Sequence, residues 1–378
     1  MRIAVIADDL TGALDTGVQF TQWGYTAQLT NIPEDSTAEV TIINTDTRNK
    51  TPKQAYDTTY KIASKLDQDV IYKKTDSTLR GNPGPEIKAI LNATGELRAI
   101  LSPTYPSTRR RVKDGHIYVA DKPITETEYI SEYRTKTSYI PEILDIDTTI
   151  HVAKNPTELP TTGIIVIDSE TEQDLLKIAS QRVRVFAGSA GLADALCQVI
   201  RDPPPVLTVI GSVRAETRAQ SNMLQRRTGA SLIPLDIGKT LGRLPQTEAL
   251  RMAENALLMR NDVIVTSAPS QEVVVQTLKE ARILDISLGD LEAQITDALA
   301  EVTKQLLHHR LSGIIITGGA TALAITEKLR IQSIEILDEV QPGVPVIKLD
   351  QIPAVTKAGG FGQSDILIQA TKYLKRRS

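Results

Sequence analysis

The chain has 378 residues, of which 41% are hydrophobic and 24% are charged. This composition is ordinary for a folded globular protein, and the length predicts two domains. The formal net charge of -3 comes from interspersed charges of both signs, which excludes the basic surface that nucleic acids or anionic membranes require.

The N-terminal strand "RIAVIA" is too short for a secretory signal. No apolar run approaches the roughly 18 residues of a membrane-spanning helix. Cys197 is the single cysteine, which excludes an internal disulfide and fits a reducing compartment. Its helical apolar surroundings predict a buried filler residue, and we expect a cytoplasmic protein.

The histidines show none of the paired spacings that are typical of zinc sites. There are four of them, His116, His151, His308 and His309. The sequence therefore does not predict a metal held by histidine and cysteine.

The first half of the chain alternates short β-rich runs with longer amphipathic segments. Five runs read as strands: "RIAVIA", "TAQLT", "EVTIINT", "QDVIYKK" and "LRAILSP". Segments such as "TPKQAYDTTYKIASKLD" and "PGPEIKAILNAT" between them read as helices, the second beginning with proline. This alternation predicts βαβ units and a parallel sheet covered on both faces.

Three prolines, Pro203 to Pro205, interrupt this pattern, and they can continue neither a helix nor a central strand. The strand–helix alternation restarts after them with "VLTVIGS", "ASLIPLD", "DVIVTSAPS" and "SGIIITGGAT". We therefore predict an α/β protein of two domains, residues 1–202 and 203–378, each a mostly parallel sheet flanked by helices. The stretch from Arg110 to Glu142 lacks a helical period and predicts a hairpin excursion that caps a cleft.

Polar clusters follow the predicted strands, where open parallel sheets bind their ligands. Asp8 and Asp9 end the first strand, and Thr11 and Gly12 open the next helix. One aspartate can cap that helix. The other is left to face the ligand, where it can accept hydrogen bonds from sugar hydroxyls or take the proton of an attacking hydroxyl. In a known N-terminal phosphatase motif, two aspartates two residues apart follow the first strand. Leu10 stands where the second aspartate would be, so the chain does not match that motif.

The segment "KKTDSTLRGN", residues 73–82, follows the fourth strand and concentrates charge and hydroxyl groups around a glycine. Arg80 is expected to form a planar fork to a carboxylate. Asp76, Ser77 and Asn82 are expected to bind hydroxyl groups, so the segment predicts a binding site for a hydroxylated acid.

The second domain carries glycine turns where strands pass into helices. "VIGSVRAET" and "ITGGATA" place glycine and small hydroxyl residues there, and "KAGGFGQSD" adds Lys357. Glycine lets an anion approach the backbone, and helix N-terminal amides bind phosphate oxygens. The "GKT" at 238–240 is no P-loop, because Ile233 stands where its first glycine is required.

These two patterns together predict a kinase-like protein with an interdomain active-site cleft whose closure excludes water from the transferred phosphate. Phosphoryl transfer also predicts a divalent ion, most often Mg²⁺, bridging phosphate oxygens. Two alternatives stay open: a sensor that binds a sugar acid and a nucleotide without transfer, and an aspartate-dependent phosphohydrolase.

The motifs resemble, in order, those of the four-carbon acid sugar kinases. They are "IADDLTGALDTG", "KKTDSTLRGN", "AGSAGLA", "GS" before a helix, "ITGGATA" and "KAGGFG". The resemblance spans nearly the whole chain. It implies an N-terminal acid-sugar domain, a C-terminal ATP domain, and phosphate transfer to the terminal hydroxyl of an acid such as threonate, erythronate or 3-oxotetronate.

The resemblance also implies site residues. The candidate catalytic residues are Asp8, Asp9 and Asp76. The substrate-binding candidates are Asp8, Asp9, Lys74, Asp76, Ser77, Arg80 and Asn82, and Lys73 matches the motif as well. The ATP-binding candidates are Ser212, Gly318, Gly319, Ala320, Thr321, Lys357, Gly359 and Gly360. The expected cofactors are ATP and Mg²⁺, the expected partners are small molecules, and a homodimer is compatible with the sequence.

The chain departs from the family pattern at two places. The family often has an acidic residue where Ala320 stands, so a metal or ribose contact made there is lost or supplied elsewhere. The stretch "STRRRVKDG" and the following "ISEYRTKTSYIPE" also differ, which leaves the identity of the acid open.

Overall fold

The computed structural model of the chain describes residues 1–32, 36–132 and 136–378. They form two compact units, Met1–Asp202 and Pro203–Ser378. Both units are α/β, with mostly parallel sheets flanked by helices, and this confirms the predicted fold class. The cleft between the two predicted domains stays a prediction. Among the described helices, none has the length and apolar content needed to cross a bilayer.

The first unit is built on an eight-stranded sheet and a small antiparallel one. Its strands are β1 Ile3–Ala7, β2 Ala27–Leu29, β3 Val40–Asn44, β4 Val70–Lys74, β5 Arg98–Ser102, β6 Arg110–Lys113, β7 His116–Val119, β8 Lys122–Pro123, β9 Ile150–Ala153, β10 Gly163–Ile167 and β11 Val185–Gly188. The large sheet has the order β2-β3-β1-β4-β11-β5-β10-β9, and all its neighbouring pairs are parallel.

Within the described residues of this unit, six α-helices accompany these strands. They are α1 Leu10–Gln22, α2 Pro52–Ala63, α3 Pro83–Thr94, α4 Ile140–Leu144, α5 Glu172–Ala179 and α6 Ala190–Arg201. The central strands are buried on both faces, and alternate residues of β1 belong to different apolar clusters. That is the expected consequence of covering both faces of a parallel sheet. Cys197 is buried in one of these clusters, as predicted.

The carboxyl ends of five adjacent strands of this sheet lie at the same level. Ala7 pairs with both Asn44 and Lys74, and Gly188 pairs with both Lys74 and Ser102. The loops that follow β3, β1, β4, β11 and β5 therefore start side by side. This alignment brings the predicted polar clusters of the first unit to one edge.

The segment from Arg110 to Glu142 contains an antiparallel hairpin. Strands β6 and β7 pair with each other and β8 extends the ribbon, followed by short 3-10 turns. The predicted hairpin is therefore present, while residues 133–135 of the segment lie outside the described part of the chain. Its role as a cap stays a prediction.

The second unit has a seven-stranded sheet of order β13-β14-β12-β15-β18-β17-β16. Its strands are β12 Val206–Ile210, β13 Ser231–Pro234, β14 Val263–Thr266, β15 Gly313–Thr317, β16 Ile334–Gln341, β17 Val344–Leu349 and β18 Ile352–Lys357. Five strands are parallel, and β17 runs antiparallel to both its neighbours.

Seven helices complete the second unit. They are α7 Ala215–Thr228, α8 Ile237–Leu241, α9 Thr247–Leu258, α10 Gln271–Ile283, α11 Leu288–Leu306, α12 Gly319–Leu329 and α13 Ile366–Arg376. Ile210 pairs with both Thr266 and Thr317, and Thr317 pairs with Lys357. The glycine turns after β12, β15 and β18 therefore also begin at one edge of their sheet.

Candidate functional site

Asp8 and Asp9 have different roles at the end of β1. Asp9 is the N-cap of α1, and its Oδ1 accepts a hydrogen bond of 2.8 Å from the Gly12 backbone amide. Asp8 is almost wholly buried, whereas about a quarter of the Asp9 side chain is exposed. A Cβ on Gly12 would lie 2.6 Å from Asp9 Oδ1, so a larger residue there would displace the capping carboxylate.

Arg48, which follows β3, binds both aspartates. Its Nε and Nη2 donate to the two carboxylate oxygens of Asp8 at 2.8 and 3.0 Å, and its Nη1 donates to Asp9 Oδ2. Burial opposes ionisation of Asp8, but the Lys73 charge and the Arg48 guanidinium together lower the pKa of that carboxyl. Asp8 is therefore a fixed, ionised acceptor, because a bidentate fork occupies both of its oxygens.

Near Asp8, Lys73 and Glu86 form a fully buried ion pair. Lys73 Nζ is 3.1 Å from Glu86 Oε2 and donates to the Lys74 carbonyl at 2.7 Å. Thr47 donates its hydroxyl to the same Glu86 carboxylate. Burial raises the pKa of Glu86, against the lowering effect of Lys73. The network joins the loop after β3 to β4 and α3, and so holds Arg48 in place.

Lys74 ends β4 beside α1. Its ammonium is buried and donates to the Thr75 carbonyl at 2.9 Å, but no described carboxylate lies within 4 Å of it. Burial lowers the pKa of Lys74, although Asp8 and Asp76 oppose the shift. A buried cation without a close counter-ion is costly, and an anionic group would stabilise it.

Asp76 and Arg80 pair with each other. Arg80 Nε and Nη2 donate to the two Asp76 oxygens at 3.1 and 2.8 Å, and the Thr78 amide donates to Oδ2 at 3.0 Å. Burial opposes ionisation, but Arg80 and Thr78 hold the pKa of Asp76 well below its usual range. The guanidinium fork that the sequence assigned to a ligand carboxylate is thus directed at Asp76 in the protein itself.

The rest of the "KKTDSTLRGN" segment supports the loops. Asn82 donates through Nδ2 to the Thr47 and Lys50 carbonyls at 2.9 and 3.1 Å, and Ser77 is half-buried. Gly81 has φ +90°, and a Cβ there would lie 3.0 Å from Asp8 Oδ2. Asn82 therefore ties this segment to the loop that carries Arg48, and only glycine fits beside Asp8.

In the second unit, the turns after β12 and β18 contact each other. Thr217, in the first turn of α7, donates its hydroxyl to Ser212 Oγ at 3.1 Å and to the Gly359 carbonyl. A Cβ on Gly359 would clash with Ser212 Oγ, and one on Gly360 would lie 3.6 Å from Arg214 Nη1. The turns after β12 and β18 thus pack at a distance that only glycine permits.

The third turn, after β15, reaches the same place. Gly318 has φ +101° and precedes α12, and its amide donates to the Lys357 carbonyl at 3.0 Å. Thr321 is buried against Gly211, where a Cβ would clash with its hydroxyl. Gly319 and Ala320 are exposed, and a Cβ on Gly319 would meet nothing within 4 Å. The first turn of α12 therefore opens onto free space.

Lys357 is the buried cation of this edge. Its Nζ donates to the Gly359 carbonyl at 3.2 Å. Burial lowers the pKa of Lys357 to about 8, and the more distant Glu216 only partly opposes the shift. Two hydroxyls at neighbouring strand ends, of Ser267 and Thr317, are also buried without a hydrogen-bond partner among the described residues. Phosphate oxygens would satisfy groups of these kinds.

Sequence reasoning missed several of these groups. Arg48 follows the predicted strand "EVTIINT", but its partner could not be read from the sequence. Glu86 lies inside a helix four residues beyond Asn82, and Thr317 and Ser267 lie at predicted strand ends. Position after a strand was the available signal for all except Glu86.

The two units define a class of protein: one α/β unit has buried charged side chains after its strands, and the other has glycine turns after its strands. A family model described as a sugar-binding N-terminal domain matches residues 3–196, and one described as a nucleotide-binding C-terminal domain matches residues 207–367. The chain belongs to this family, and the resemblance noted in its motifs is confirmed.

The relatives match over nearly their whole lengths. A D-threonate kinase of Bordetella bronchiseptica is 30% identical, with 99% of this chain and 98% of the relative covered. A D-erythronate kinase of Heliobacterium modesticaldum is 28% identical, with 99% and 97% covered. A crystal structure from Bordetella bronchiseptica, described as a domain of unknown function with bound citrate and a domain-swapped dimer, is 29% identical with a TM-score of 0.61 over 100% of this chain and 99% of that one.

Proposed function

We propose that the protein is an ATP-dependent kinase that phosphorylates the terminal hydroxyl of a short sugar acid, with threonate, erythronate and 3-oxotetronate as the candidate acceptors. The observation that carries the proposal is the match of both domains, end to end, to kinases of four-carbon sugar acids. The geometry of each unit supports it independently, because each unit holds the groups that one of the two substrates requires.

In the first unit, Lys74 is the anchor for the carboxylate of the acid. Its ammonium is buried and has no described carboxylate within 4 Å. In contrast, the guanidinium groups of Arg48 and Arg80 are hydrogen-bonded to Asp8 and Asp76, respectively. This assignment moves the carboxylate contact from Arg80, where the sequence put it. Asp8 and Asp76, held ionised, accept hydrogen bonds from the hydroxyls of the sugar acid.

Asp9 is the catalytic base in this proposal. Of the three aspartates predicted to be catalytic, it is the most exposed, with 27% of its side chain accessible against 2% for Asp8 and 12% for Asp76. The lowered pKa values of Asp8 and Asp76 make these two carboxylates poor proton acceptors. Proton removal contributes less than positioning and charge stabilisation in phosphoryl transfer, so a modest base is sufficient.

In the second unit, the amides and small side chains of the three glycine turns bind the ATP phosphates. Ser212, the segment from Gly318 to Thr321, and Gly359 with Gly360 line them, and Lys357 supplies the positive charge. Mg²⁺ would enter with ATP, coordinated by phosphate oxygens and water, and would neutralise charge on the transferred group. A homodimer is the proposed assembly, since a domain-swapped dimer occurs in the similar crystal structure.

The test is an assay with ATP, Mg²⁺ and a panel of four-carbon sugar acids. We expect ADP to form only when an acceptor acid is present, with one acid preferred by kcat/KM. ADP release that does not depend on any acid would instead identify a phosphohydrolase. Saturable binding of both ligands without ADP formation would identify a sensor.

A further inference from the structure

Glu254, His308 and His309 lie together in the second unit, away from the glycine turns. Glu254 is on α9, and the histidines follow the C-cap residue of α11, Leu307. One ligand atom from each residue lies within 4.8 Å of those of the other two. The rings of His308 and His309 are 4.1 Å apart between centroids and are inclined at 36°. Residues that are distant in sequence thus converge on one small volume.

The hydrogen bonds of the two imidazoles leave ligand atoms available. Nδ1 of His308 contacts the Gln305 carbonyl, which assigns the proton to Nδ1 and leaves Nε2 with a free lone pair. A backbone carbonyl behind a histidine is the usual orienting partner of a metal ligand. Nε2 of His309 is buried and has no hydrogen-bond partner among the described residues, a state that requires an explanation in a native fold.

We propose that Glu254, His308 and His309 bind a transition metal ion, with Zn²⁺ as the best fit. Two imidazole nitrogens and one carboxylate oxygen match the ligand preferences of Zn²⁺, and a water would complete a tetrahedral site. Small rotations of the partly exposed side chains bring the donors to the roughly 2 Å bonds that zinc requires. The ion provides a partner for Nε2 of His309 and links α9 to the connection between α11 and β15.

This site is separate from the phosphate-binding turns. His309 precedes the first residue of β15, whereas Gly318 follows its last residue. A five-residue strand at about 3.3 Å per residue separates the two ends by some 15 Å. The bound ion therefore acts as a clamp within the second unit, and it is distinct from the Mg²⁺ that accompanies ATP.

Equilibrium dialysis with Zn²⁺ and optical titration with Co²⁺ test the site in the full-length protein. We expect one ion per chain, and Co²⁺ absorption bands typical of a tetrahedral site. Glu254→Gln and His309→Ala should each weaken binding by more than the roughly 10- to 100-fold that loss of an outer-shell partner costs. His151→Ala, in the first unit, should leave binding unchanged.

Thermal unfolding provides a second readout, which also reports whether each variant is folded. Zn²⁺ should raise the unfolding temperature of the wild type and of His151→Ala, but not that of Glu254→Gln or His309→Ala. With Mg²⁺ in excess, kinase turnover of the two ligand variants should equal that of the wild type. The proposal is wrong if the wild type binds no stoichiometric ion, or if Glu254→Gln and His309→Ala bind it as tightly as the wild type.

Discussion

The sharpest consequence of the structure concerns Lys357. Burial lowers its pKa from 10.5 to about 8, and at about 1.4 kcal/mol per pH unit the desolvated ammonium costs about 3 kcal/mol. A bound phosphate repays this cost by providing a counter-charge. ATP binding should therefore favour the protonated ammonium, and ATP affinity should fall by up to roughly tenfold per pH unit above pH 8.

Isothermal titration calorimetry in buffers of different ionisation enthalpy measures the proton linkage. At pH 8 about half of the Lys357 side chains are neutral in the free protein, so ATP binding should take up about half a proton per chain. Lys357→Met should abolish this uptake and weaken ATP binding on the order of 10- to 100-fold, the value of a charged hydrogen bond. Lys348→Met, on the neighbouring strand β17, serves as the matched control.

Stability should change in the opposite sense to affinity. The folded pKa of Lys357 lies below its unfolded value, so the destabilisation is complete below about pH 8 and disappears as the pH rises towards 10.5. Lys357→Met should thus raise the free energy of unfolding at pH 7 by up to about 3 kcal/mol, measured by urea denaturation. Wild-type ATP binding that takes up no proton and keeps a constant affinity between pH 7 and 9.5 would show that the Lys357 ammonium does not contact the ATP phosphates.

Four further changes test the first unit. Lys74→Met should raise the KM for the acid on the order of 10- to 100-fold without affecting ATP binding, and an unchanged KM would remove Lys74 from the site. Arg48→Ala leaves the buried Asp8 without its fork, and urea denaturation should show a loss of about 3 kcal/mol. Gly81→Ala and Gly95→Ala both place alanine at positive φ, yet only Gly81→Ala should impair acid kinetics, because only its Cβ meets Asp8. Asp76→Asn should lower the free energy of unfolding at pH 7. The difference from the wild type should vanish at strongly acidic pH, because protonation of Asp76 then removes the same stabilisation from the wild type.

The order of strands and helices was largely predictable because hydrophobic periodicity and turn residues are local signals. The polar ends of β1 and β4 were located correctly, and capping chemistry anticipated that one of Asp8 and Asp9 would cap α1. The antiparallel edge formed by β16 and β17 was not anticipated. Its outer strand, Ile334–Gln341, is mostly exposed, so it lacks the buried apolar pattern of a parallel strand.

The pairings within the candidate site depend on tertiary structure. Arg48 reaches Asp8 because β3 and β1 are neighbours in the sheet, and the strand order is not written in either segment. From the sequence, both Arg80 and Asp76 were expected to bind the ligand. The ion pair between them was therefore not foreseen. The Glu86–Lys73 pair was invisible because an acidic residue in the first turn of a helix is usually explained by the helix dipole.

The fate of the terminal phosphate of ATP decides most directly whether the protein is a sugar-acid kinase. The protein is incubated with Mg²⁺, an excess of one four-carbon sugar acid and ATP labelled in its γ-phosphate, and the products are separated by mass. We expect the label to appear in a phosphorylated sugar acid, with the phosphate on its terminal hydroxyl. Label found only in inorganic phosphate, or retained in ATP with every acid of the panel, would contradict it.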